Sequence, residues 1–163
     1  MILIYKLIWI FNNIGNYSSE LGQDANEFGG IYFKTNENHY VELLTPVDNY
    51  YVEFTNCTKG IHNDGGSMRV EYVEMSKCDI GIQVQNAEKR RVYIDDNIIG
   101  AKQHCIILEN SVINLGTIRR NIFSIDGNAT TASAIKIRDY ISNFSYKIEE
   151  NDFNIVNAIA GID

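Results

Sequence analysis

A chain of 163 residues that is 45% apolar and 21% charged is long enough to bury a sizeable core and too apolar to remain disordered. Its net charge of −7 argues against nucleic acid as a partner, because phosphate binding needs clustered Lys and Arg. The three cysteines (Cys57, Cys78, Cys105) form no CxxC pair and are odd in number, which argues against a disulfide framework or a cysteine-rich metal site and for buried apolar filler.

The N-terminal run MILIYKLIWIF has no basic segment ahead of its apolar residues, is interrupted by Lys6, and is followed by no small-residue cleavage site. It is also too short to cross a bilayer, so it reads as an opening strand pair, with no membrane insertion and no signal peptide. Downstream, one layout recurs loosely. An apolar pair two residues apart leads into an Asn or Cys, and after a variable polar stretch comes a small residue followed by Ile. The small–Ile pairs are Gly30-Ile31, Gly60-Ile61, Gly81-Ile82, Cys105-Ile106, Ala134-Ile135 and Gly161-Ile162, spaced by 30, 21, 24, 29 and 27 residues. A unit of fixed ends and variable length is the mark of a solenoid.

Within each unit the apolar period is two (Val52/Phe54, Val73/Met75, Val92/Ile94, Tyr146/Ile148), which is strand alternation. No stretch shows a capped amphipathic helical face. The frequent Ile suits a pleated surface and the frequent Asn suits turns. These features predict an all-β fold, a right-handed single-stranded parallel β-helix of about five to six coils, with strands stacked at ~4.8 Å. Asn97, Asn121 and Asn151 are expected to form an inward ladder bonding coil to coil, with Cys57 and Cys78 filling the same position in earlier coils. Residues 1–163 read as one β-helix domain: 1–29 a first coil or cap with a loop insertion, 30–163 the regular coils, with 36–49 the least regular part. The last repeat, 146–163, ends on an uncovered coil, which suggests a piece of a longer chain or an end covered by partner subunits.

The pattern apolar-x-apolar-x-x-Asn-x-apolar followed by Gly-Ile resembles the pectin-lyase-like parallel β-helix superfamily over roughly 30–163. That group includes polysaccharide lyases, polygalacturonases and bacteriophage tailspike or appendage proteins. The Pro-poor, Ile/Asn/Tyr-rich composition looks most like a phage tailspike fragment. The resemblance implies a virion-tail or extracellular setting, a cell-surface glycan as partner, and assembly with copies of itself as a homotrimer. It does not by itself identify the chemistry.

Stacking the coils sorts side chains into outward rows. One is expected to read Thr55, Ser76, Asp95, Arg119, Glu149, and its neighbour Asn56, Lys77, Asp96, Arg120, Glu150. Asp95 and Glu149 would lie two coils apart, roughly 9–10 Å, with Arg119 between them. That separation approaches the ~6.5–9.5 Å of inverting glycoside hydrolysis. The resemblance to polysaccharide lyases adds a second chemistry, in which an Arg acts as base and acids hold calcium; otherwise no cofactor and no metal is implied. The same acid–Arg–acid order also keeps like charges apart on a solvated ladder, and this plainer account competes with both.

Segments 16–29, 100–104 and 124–133 fall at one point of their coils and are expected to project as loops lining a groove, with Asp126 and His104 as substrate-binding candidates beside Asp96, Arg120 and Glu150. His62 belongs to an outward row with Tyr32, Gln83, Ile107 and Lys136 and reads as a surface histidine. Tyr17, Tyr32, Tyr40, Tyr50 and Tyr51 suit sugar stacking as well as strand formation. The sequence therefore supports a tailspike-type module that recognises a cell-surface polysaccharide, with or without depolymerase activity. The alternatives are a non-catalytic structural or assembly module of the same fold and a fragment of a secreted lyase or hydrolase.

Overall fold

The computed structural model describes residues 10–12, 30–34, 40–44, 52–126, 131–139, 146–155 and 160–162. These residues are all-β, with no helix among them, and their strands stack in parallel as a β-solenoid. The first face carries β1 (Ile10–Asn12), β4 (Val52–Thr55), the start of β7 (Val73–Gln85), the start of β9 (Ile98–Glu109), β11 (Ile122–Ile125) and β14 (Asp152–Ile155), in that order. The second face holds β2 (Ile31–Lys34), β5 (Lys59–Asp64), the later halves of β7 and β9, β12 (Ser133–Arg138) and β15 (Ala160–Ile162). The third is a separate five-stranded sheet of β3 (Tyr40–Leu44), β6 (Ser67–Glu71), β8 (Glu88–Asp95), β10 (Val112–Arg119) and β13 (Tyr146–Glu149). Strands β7 and β9 bend around the corner between the first two faces, where their mutual register shifts.

The unbroken stretch 52–126 makes about three turns, fewer than the five to six coils expected. The expected number counted every return of the small–Ile pair, including outer strands whose connections lie outside the described residues. The pair itself was well placed. Ile31, Ile61, Ile82, Ile106, Ile135 and Ile162 stand in consecutive register, one per rung. Below this column, Phe54, Met75, Ile99, Phe123 and Phe153 stack on the first face, and Leu43, Val70, Ile94, Ile118 and Ile148 on the third. Small residues precede the Ile because the chain passes close to that first-face column: a Cβ on Gly81 would lie 2.5 Å from both Cys105 O and Ile99 Cγ2.

Every described corner except the first corner of β9 turns on a residue with positive φ. After the first face these are Asn56 and Lys77, after the second Gly65, Asn86, Asn110 and Asp139, and after the third Tyr72, Asp96, Arg120 and Glu150. Left-handed backbone favours Gly and Asn, which the second corner uses most; the third corner places large side chains there at a local cost. Tyr40–Leu44 lies in regular register with β6, so that part of the segment expected to be irregular is an ordinary rung.

Inside the third corner runs the asparagine ladder. The Nδ2 of Asn97 donates to Val70 O and to Asn121 Oδ1, and Asn121 Nδ2 donates to Ile94 O and Asn151 Oδ1. The backbone N–H groups of Val73, Asn97 and Asn121 donate to the Oδ1 of Asn97, Asn121 and Asn151 in turn. Cys57 and Cys78 do not occupy this column. They follow the positive-φ residues of the first corner, and Cys78 pairs with Ala101, while Val73 fills the rung beneath Asn97. Both thiols are buried, and the hydrogen bond with Cys57, followed by burial, pushes the Cys78 thiol up. Cys105 is likewise buried and pushed up to about 12.

Candidate functional site

On the third face, side chains that alternate with the buried Met68, Val70, Val92, Ile94 and Ile118 must point out. They form three outward columns across the rungs. The first is Tyr40, Ser67, Arg91, Leu115; the second is Glu42, Arg69, Tyr93, Thr117, Lys147; the third is Leu44, Glu71, Asp95, Arg119, Glu149. Between them lies an open depression of about 660 Å³ lined by Tyr40, Ser67, Arg69, Arg91, Tyr93, Asp95 and Arg119.

Asp95 is the most enclosed charge of this surface, at 2% exposure. Thr117 Oγ1 donates to its Oδ1 at 2.8 Å and reaches its Oδ2 at 3.0 Å. Arg119 Nε stands 3.4 Å from Oδ2, a coulombic pairing. Burial nevertheless prevails and pushes the Asp95 carboxyl above the ordinary range, against the Thr117 hydrogen bond and the Arg119 charge; Glu71 adds to the rise. One rung away, Arg69 donates from Nε to Glu71 Oε1 at 2.9 Å, with Nη2 at 2.8 Å from the same oxygen. That hydrogen bond raises the Arg69 pKa further. Burial, then the neighbouring Glu42, raises the Tyr40 phenol, which therefore stays protonated at neutral pH.

The structure brings Asp95, Arg119 and Glu149 into one column, in register on successive rungs as expected. The column's earlier members are Glu71 and Leu44, not Ser76 and Thr55. Those two hydroxyls face each other at 3.4 Å on the first face. The misplacement follows from the Cys–Asn alignment, which skipped a corner in the shorter early turns. Asp96, Arg120 and Glu150 occupy the positive-φ corner beside the face and do not line the depression. There Arg120 Nε and Nη2 grip both oxygens of Asp96, the Nε bond being 2.7 Å.

The loop groove fares differently. Residues 100–104 lie within β9 and form no projecting loop, while 16–29 and 127–130 lie outside the described residues. His104 is buried on the second face with its Nδ1 3.0 Å from Ser133 Oγ, remote from the depression, and Asp126 is exposed past the end of β11. His62 does share its row with Tyr32, Gln83, Ile107 and Lys136, but it is buried at 4% exposure and stacks on Tyr32 at a ring separation of 5.1 Å, so it is no surface histidine. Among Tyr17, Tyr32, Tyr40, Tyr50 and Tyr51, only Tyr32 and Tyr40 fall within the described residues.

Sequence reasoning named Tyr40 for sugar stacking but missed Ser67, Arg69, Arg91, Tyr93 and Thr117. The signal was available: stepping back by twos from Asp95 and Arg119 reaches Tyr93, Arg91 and Thr117. Among the described residues no group of three or more His, Cys, Asp or Glu converges on a metal position. Comparison with known proteins returns no matching family model, no matching curated protein and no matching solved structure.

Proposed function

We propose that this chain is a β-solenoid module of a virion appendage that recognises a cell-surface polysaccharide through its third face. The observation that supports the reading is the depression itself: two tyrosines, Tyr40 and Tyr93, set among arginine, serine and aspartate side chains on a rigid parallel sheet. Aromatic rings offer an apolar surface to the ring faces of sugars, and fixed hydrogen-bonding groups beside them read hydroxyls. Rungs repeat at ~4.8 Å, so a polymer lying along the axis meets similar groups at regular intervals. The virion setting rests on composition alone.

Recognition without cleavage is the better supported form. The most enclosed carboxylate among the described residues, Asp95, is already held by Thr117 and paired with Arg119, an arrangement that suits a stable ladder. Glu149, roughly 9–10 Å away across Arg119, supplies the second acid if the face is hydrolytic. The test is binding of the whole chain to an array of bacterial capsular and lipopolysaccharide glycans, alongside an assay for new reducing ends. Binding lost on Tyr93→Ala in a folded variant is the expected result. No binding to any glycan overturns the proposal. Cleavage that survives both Asp95→Asn and Glu149→Gln would remove these acids from the chemistry.

A further inference from the structure

The described residues include all six arginines of the chain, and five of them have their guanidinium groups engaged. Arg69 binds Glu71, Arg90 donates to Gly65 O at 2.7 Å, Arg119 pairs with Asp95, Arg120 with Asp96, and Arg138 with Glu109. Arg91 is the exception. Its backbone N–H is fixed by Ser67 Oγ at 3.1 Å, while among the described residues its exposed side chain has no hydrogen bond or ion pair. The depression it lines holds three guanidinium groups and one carboxylate, in a chain whose net charge is −7.

A cation without an acid of its own, beside two guanidinium groups already matched to Glu71 and Asp95, marks a place where negative charge is welcome. A guanidinium is also the side chain best shaped for a planar carboxylate, which it grips through two parallel N–H donors. From this juxtaposition we infer that Arg91 is the residue that sets ligand charge: the polysaccharide bound on the third face bears a carboxylate on its sugars, and Arg91 receives it beside the rings of Tyr40 and Tyr93. The inference rests on the glycan-binding reading above and adds the ligand's chemical class to it. Arg69 is held by Glu71 through two nitrogens, and Arg119 is paired with Asp95 by charge while its Nε donates no hydrogen bond, so Arg91 is the lining guanidinium without an acid of its own among the described residues.

The experiment uses the whole chain and an array of bacterial capsular polysaccharides, acidic and neutral, with each acidic hit also presented after its carboxylates are reduced to alcohols. The hits are expected to be acidic, to lose about tenfold or more in affinity on carboxyl reduction, and to lose as much when Arg91→Gln is tested on the native polymer. Arg91→Lys should fall between, since it keeps the charge and loses the fork. Far-ultraviolet circular dichroism and the melting temperature of the variants establish that they fold. Neutral hits, undiminished binding of reduced polymers, or a folded Arg91→Gln variant that binds as before each overturns the inference while leaving the glycan reading standing. Failure to bind any polymer overturns both.

Discussion

Asp95 and Asn97 are two residues apart, as are Arg119 and Asn121, and Glu149 and Asn151, yet each pair parts into two different columns. In a straight strand, residues i and i+2 face the same way. Here the residue between them, Asp96, Arg120 or Glu150, has positive φ and turns the chain, so the first member of each pair faces out and the second faces in. The consequences diverge. Inside, Asn97 and Asn121 each bond the next Asn, and all three asparagines donate to a backbone carbonyl from the rung before, so the amides of the column are satisfied. Outside, the charges are matched pairwise and incompletely, and Arg91 is left over. The inner column holds rungs together; the outer columns are open to a ligand.

Breaking the inner column should cost most. Asn121→Ala strips partners from the buried amide of Asn97 and from Ile94 O, so a loss of about 3 kcal/mol is expected in urea denaturation. A loss near that of an exposed ion pair would mean the ladder is ornamental.

Asp95 tests the outer column by pH. Its carboxyl titrates above the ordinary value, so the folded state holds this proton more readily than the unfolded state. The stability it contributes is present at low pH and is lost as pH rises from the ordinary carboxylate value of about 4 through the raised folded value. Asp95→Asn removes that titration. The stability of the natural chain relative to the variant should therefore grow as pH is lowered through that window and stay level above it; the opposite slope would mean that the Arg119 pairing outweighs burial.

The corner itself offers the smallest effect. Glu150 is exposed and left-handed, so Glu150→Gly should raise stability by up to about 1 kcal/mol. A loss there would assign Glu150 a contact of its own.

The sequence by itself determined the strand period, the small–Ile register, the Asn97–Asn121–Asn151 ladder and the Asp95–Arg119–Glu149 row. Each depends on local spacing between a buried anchor and the corner nearest to it, and those spacings recur from turn to turn. Only the tertiary structure decided the rest. Cys57 and Cys78 sit at a different corner from the asparagines because the turns differ in length between anchors, and one skipped corner moved Thr55 and Ser76 onto the wrong face. Burial was also beyond the pattern: His62, His104 and Asp95 are polar residues whose enclosure depends on neighbours from other rungs. The depression on the third face joins residues from four rungs, Tyr40 to Arg119, and no stretch of chain contains it. Parallel stacking creates it, by bringing every second residue of distant strands onto one surface.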